Sequence, residues 1–215
     1  MSYDESTRQT RRPGPRPRAR RLDPAERRAG LLDCALRVFA RRGIAAGRHA
    51  EVAREAGVSV SATFVYFPSR TALVEAVLDE VARFLLEMAE QIHRRDDRAD
   101  RLVLAHARAF AESVDTHPDH ARVWLDWSTA IGSPFWARYL EFQDRMLQVV
   151  ARTLERGRRE GSLAADVDPT EDARLLIGAA HMVAQMKFTR SPPESVDRFL
   201  RTLARATMGL PLREG

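Results

Sequence analysis

"VSVSATFVYFPSR", residues 58–70, interleaves Ser59, Ser61 and Thr63 with Phe64, Tyr66 and Phe67 and stops at Pro68. A core helix has no use for three hydroxyls, and a solvated loop has none for three aromatics. The pattern fits a short helix that needs a small polar front and an apolar anchor together. Ser59 suits the N-cap, because its side-chain oxygen can accept from an orphan backbone N–H of the first turn. Pro68 ends the helix, since the residue before a proline is pushed out of the α region. Just upstream, Val52, Ala53 and Ala56 give a short helix over roughly 48–55 an apolar face, and Gly57 breaks it. Two short helices joined by a tight turn make a helix-turn-helix.

Charge supports that reading. Through residue 75 there are fifteen arginines against eight acidic residues; the remaining 140 residues carry twenty cations against twenty-two acids. Basicity confined to the N-terminal third points to a polyanionic partner for that segment. Residues 1–22 hold Pro13, Pro15 and Pro17 among Arg11, Arg12, Arg16, Arg18, Arg20 and Arg21. Such a stretch buries too little apolar area to offset its ordering entropy, so a disordered basic arm is expected there. A flexible Arg-Pro-Arg arm of this kind would suit a narrow, electronegative groove of a nucleic acid.

A helix-turn-helix sets its second helix in the major groove, N-terminal residues toward the base edges. Ser59, Ser61, Ala62 and Thr63 are short enough for that approach, with Val65 on the same helix. Phe64 and Phe67, three apart, are expected to anchor it on the first helix. Tyr66 and Arg70 are expected at phosphates, and Arg48 and His49, opening the helix before, complete the expected DNA-facing set.

The rest of the chain also reads as helix. "DPAE" at 23–26 combines an N-cap, a proline at the first helical position and a glutamate in the first turn, opening a helix that ends at Gly43. Ser69 caps a long helix through about residue 94, and further helices are expected over about 99–115, 119–131, 134–160, 170–189 and 194–208. No run alternates with period two, so the fold class is all-α. No stretch is apolar enough to span a membrane, no secretory leader opens the chain, and the single Cys34 excludes an internal disulfide; a cytosolic protein is expected. His117 and His120 have metal-like spacing without a third ligand nearby, and no phosphate loop or nucleophile elbow appears. No cofactor, metal or enzymatic activity is expected.

"LLDCALRVFARRGI…HAEVAREAGVSVSATFVYFPSRTALVEAVLDEV" resembles the DNA-binding domain of TetR-family transcriptional regulators. "RPRAR" at 16–20, "FARRGI" at 39–44, "YFPSR" at 66–70 and "VWLDWS" at 123–128 are similar to the LuxR/HapR-type quorum-sensing master regulators within that family. The resemblance implies an N-terminal three-helix DNA-binding domain (23–70) and a C-terminal helical ligand-binding and dimerisation domain (71–215). It implies a homodimer on a palindromic double-stranded operator, with the arm in the minor groove. The subgroup usually carries Asn where this chain has Val65, so its base readout does not carry over. It further implies a small apolar ligand in the C-terminal domain. Phe84, Leu85, Met88, Trp124, Trp127, Phe142, Gln143, Met146 and His181 are the expected lining, an apolar set with a few polar groups. Leu176, Ala180, Val183, Phe199 and Leu203 on the last two helices are the expected dimer contacts.

Overall fold

A computed structural model describes residues 23–208; the arm residues Arg16, Arg18 and Arg20 lie outside them. The described chain is helical throughout: α1 (Pro24–Arg42), α2 (His49–Ala56), α3 (Val60–Tyr66), α4 (Arg70–His93), α5 (Ala99–Thr116), α6 (Pro118–Thr129), α7 (Trp136–Arg159), α8 (Pro169–Phe188) and α9 (Pro193–Met208). No strand occurs among the described residues, and no helix there is long and apolar enough to cross a membrane.

The helix ends follow local chemistry. Glu26 reaches back from the first turn of α1 to accept from the Asp23 backbone N–H at 3.1 Å, the reciprocal half of a capping box. Ser59 Oγ accepts from the Ala62 N–H at 3.2 Å and Ser69 Oγ from the Ala72 N–H at 3.0 Å, so α3 and α4 each start on a serine cap. Gly57 ends α2 in the left-handed conformation at φ 66°; a side chain there would carry a steric cost that glycine avoids.

Helix α4 is the spine. Leu73, Val74, Val77, Leu78 and Val81 recur at helical spacing and are fully buried, each contributing about 1.5–3 kcal/mol relative to exposure. Their stripe packs on α1 at one end and on α5, α6 and α7 further along. One continuous core therefore runs from Leu31 and Phe39 in α1 to Val183 and Leu200 in α8 and α9. A second, smaller core joins Ala99, Leu154, Leu163 and Met208 at the far end of the bundle.

Candidate DNA interface and ligand cavity

Helices α1, α2 and α3 form a compact unit at the N-terminal end. On its outer side Arg37 and Arg41 pair with Glu55, at 3.0 and 2.6 Å, and Arg42 pairs with Glu51 at 2.8 Å. These exposed pairs orient α2 on α1 more than they stabilise it. They also occupy three of the cations that make this third of the chain basic. Arg48 sits at the start of α2, exposed, with its guanidinium donating to the Ala45 and Gly47 carbonyls at 2.7 and 3.0 Å.

Helix α3 presents Ser61 and Val65, one turn apart, on its outward face. Val65 is 77% exposed, and Val58, Val60 and Phe64 beside it in sequence are exposed as well. Ser59 is exposed, Ala62 and Tyr66 half-buried. Ser61 Oγ lies 3.0 Å from Ser59 Oγ, so the capping serine also orients its neighbour.

Four expected DNA-facing or anchoring residues are placed otherwise. Thr63 is fully buried, and its hydroxyl donates to the Val60 carbonyl at 2.7 Å; the fourth position of this seven-residue helix turns inward, so Thr63 cannot reach a base edge. His49 is buried as well, with Nε2 2.8 Å from the Phe67 carbonyl oxygen; it fastens the end of α3 to the start of α2. Phe64 is 45% exposed instead of anchored on α1, and it stacks on the His49 ring with centroids 4.0 Å apart. Phe67 alone fills the anchoring role, buried beneath the Arg28 guanidinium. The Arg70 guanidinium is engaged within the fold: Nη2 donates to the Ile44 and Ala45 carbonyls. Burial, with Arg48 nearby, lowers its pKa from the ordinary arginine value.

The C-terminal bundle encloses a narrow cavity of about 60 Å³ between α4, α5, α6, α7, α8 and α9. Leu85, Met88, Trp124, Phe142, Gln143 and Met146 line it, as expected from the sequence. So do Val103, His106 and Phe110 of α5 and Tyr139 of α7, which the sequence reading did not place there. Their signal was present in the α5 pattern, where Val103, His106 and Phe110 recur on one face.

Three expected lining residues do not reach the cavity. Trp127 is fully buried and donates from Nε1 to the Phe135 carbonyl at 3.1 Å, closing the turn into α7. Phe84 is held between His117 and His120, centroids 4.9 and 4.3 Å away. His181 lies against Trp124, the rings tilted by 42° with centroids 4.3 Å apart, and bonds Ser128 Oγ at 2.9 Å. Burial lowers its pKa.

Of the residues expected at a dimer interface, Val183 is buried within the single chain, whereas Leu176, Ala180, Phe199 and Leu203 are half-buried. Leu176, Ala180, Val183 and Leu203 line the cavity, and Val183 is only 2% exposed within the single chain. Phe199 is half-buried against the core. The outward face of α8 is instead Leu175, Gly178 and Met182, again at helical spacing and all exposed. The periodicity of α8 was visible in the sequence, but with apolar residues on both sides of the helix it did not tell inside from outside.

The model for bacterial regulatory proteins of the tetR family matches residues 31–77, the segment that folds as α1 through most of α4's first half. The HTH-type transcriptional regulator LuxR of Vibrio harveyi is 33% identical over 173 residues, covering 78% of this chain and 82% of that protein. Among solved structures, a TetR-like transcriptional regulator from Rhodococcus sp. RHA1 superposes with TM-score 0.72 at 20% identity, over 88% of this chain and 100% of the other. The regulator FadR from Bacillus subtilis, in complex with stearoyl-CoA, superposes with TM-score 0.67 at 16% identity, over 85% of this chain and 99% of that one. These likenesses define a helix-turn-helix transcriptional regulator. The chain belongs to the tetR family of bacterial regulatory proteins.

Proposed function

We propose that the protein is a homodimeric, sequence-specific DNA-binding regulator whose operator affinity responds to a small apolar ligand in the C-terminal cavity. The observation that carries the reading is the outward face of α3, where Ser61 and Val65 stand free of the fold beside exposed Arg48. A capped helix with short side chains forward, flanked by cations, suits a major groove. Arg16, Arg18 and Arg20 extend that basic flank and suit the adjacent minor groove. The dimer would use the α8 face of Leu175, Gly178 and Met182, an apolar patch that water leaves unsatisfied. That FadR of Bacillus subtilis, similar in fold, was solved in complex with stearoyl-CoA supports a ligand role for the cavity. Ligand binding would shift the population toward a spacing of the two α3 helices that no longer matches half-sites about 34 Å apart.

Binding of the full chain to duplexes selected from a randomised palindromic pool tests the reading. Affinity is expected to fall steeply with salt and to saturate at two chains per duplex. No binding at low salt would overturn it. A second reading, a regulator governed by its own concentration with no ligand, is favoured by the narrowness of the cavity. A melting-temperature screen separates the two, because a ligand that binds only the folded state raises the transition.

A further inference from the structure

His93, at the end of α4, and His106, on α5, meet edge to face with ring centroids 5.1 Å apart. His93 Nε2 lies 3.1 Å from His106 Nδ1, and His93 Nδ1 lies 2.8 Å from Thr153 Oγ1 on α7. All three side chains are buried. Packing does not require them, since apolar groups of the same shape in place of a buried hydrogen-bonded set are close to neutral for stability. His106 also lines the cavity, and with Nδ1 engaged by His93 its Nε2 is the ring nitrogen left for a further partner. Apart from the polar tips of Tyr139 and Trp124, Gln143 is the other polar side chain in the wall, and no Asp, Glu, Lys or Arg lines it.

We propose that His106 Nε2 is the polar subsite of this cavity, and that the cavity selects an apolar molecule carrying one uncharged hydrogen-bonding group, a ketone or an alcohol. The inference rests on the cavity being a ligand site, as read above. Thr153 anchors a relay that works in two directions. When its hydroxyl donates to His93 Nδ1, His93 Nε2–H donates to His106 Nδ1, and His106 Nε2–H faces the ligand as a donor. When Thr153 accepts from His93 Nδ1–H, His106 Nδ1–H donates to His93 Nε2, and His106 Nε2 faces the ligand as an acceptor. Both rings stay neutral in both arrangements, and only proton positions change. A carbonyl or a hydroxyl is therefore satisfied at the same atom. A carboxylate or an ammonium group would bury a charge in a wall with no opposite charge, which is costly. Burial itself keeps the rings neutral, pushing His93 down to about 3 and His106 down to about 4, with His106 and Arg156 adding to the effect at His93.

The eight-carbon set ethylbenzene, acetophenone, 1-phenylethanol and phenylacetate tests the assignment on the full chain, by thermal shift and by tryptophan fluorescence from Trp124. Acetophenone and 1-phenylethanol are expected to bind roughly three- to tenfold more tightly than ethylbenzene, the yield of one net hydrogen bond, and phenylacetate most weakly. His106→Leu removes that preference and keeps ethylbenzene binding. Imidazole nitrogen NMR of the wild-type chain gives a readout that needs no variant: acetophenone, but not ethylbenzene, drives the His106 proton onto Nε2. Equal binding of all four compounds, selectivity that survives in His106→Leu, or His106 nitrogen signals identical with both ligands would each overturn the subsite. If none of the compounds binds, ethylbenzene included, the cavity reading falls and the subsite falls with it.

Discussion

Ile44, in the loop between α1 and α2, donates its backbone N–H to Asp126 Oδ2 of α6 at 2.6 Å, across 82 positions of sequence. The carbonyl of the same residue accepts from the Arg70 guanidinium at the start of α4. One peptide segment of the DNA-binding unit is thus gripped from both long helical systems behind it. Gly43 makes the approach possible: its φ is 80°, and a Cβ there would stand 3.3 Å from Asp126 Oδ2. Asp126 lies two residues after Trp124, which forms part of the cavity wall. One helix, α6, thus touches both the cavity and the loop preceding α2.

Asp126→Ala should cost about 1.5–3 kcal/mol, the range for a hydrogen bond to a charged group. Denaturant unfolding measures that loss. Hydrogen exchange at the Ile44 amide should accelerate in the variant. Unchanged exchange would mean that the bond is not made in solution.

Arg70 and Arg48 should separate on the salt dependence of DNA binding. A side chain that neutralises one phosphate contributes about 0.9 to the slope of log affinity against log salt. Arg48→Met is expected to lower the slope by about that amount. Arg70→Met should weaken binding through a loosened loop and leave the slope unchanged, because its guanidinium is half-buried on the Ile44 and Ala45 carbonyls, whereas Arg48, though it also donates to backbone carbonyls, is exposed. A drop in slope for Arg70→Met would return it to the phosphate role.

On α3, base preference should track exposure. Val65→Asn is expected to create or shift preference at one base pair by about 1–3 kcal/mol, and Ser61→Ala to alter preference on the same face. Thr63→Val should lower the melting temperature and leave base preference alone, since its hydroxyl is spent on the Val60 carbonyl. Selection from random duplexes with each variant reads all three.

Stability should depend on pH through the paired histidines. Both are neutral in the folded chain, with pKa values lowered to about 3 for His93 and about 4 for His106. The unfolded chain takes up these protons near pH 6.5, so the folded state loses stability as the pH falls below that value. The loss amounts to at most about 1.4 kcal/mol per pH unit for each histidine and levels off below the folded pKa values. Acid titration of the wild type against His93→Phe/His106→Leu should show the slope between pH 6.5 and 4 flattened in the double variant. An equal slope would place the acid sensitivity elsewhere.

The sequence was most informative where a rule is local. Serine caps at Ser59 and Ser69, the glycine stop at Gly57 and the 3.6-residue stripe of α4 fall where residue chemistry puts them. It was least informative about which way a side chain faces in short or doubly apolar helices. Thr63 and Phe64 are adjacent in a helix of seven residues, and one register step decided which of them was buried. Val183 and Met182 are both apolar, yet one faces the cavity and the other faces outward. The contacts of Arg70 and Asp126 were not legible for a different reason: their partners are backbone atoms of a distant loop, which no spacing pattern records. The His93–His106–Thr153 set has the same character, since its members come from three helices.

Helix α6 has two separable surfaces, Trp124 toward the cavity and Asp126 toward the Gly43–Ala45 loop. If the cavity binds a ligand and α3 reads the operator as proposed, substitutions around Trp124 would change which molecule is sensed while the Asp126 joint is kept, and substitutions at Val65 would change the operator without touching either. On the proposed function, sensing and operator choice would then be separable by mutation, with the Asp126 and Arg70 grips on the Ile44 segment as the joint that both share.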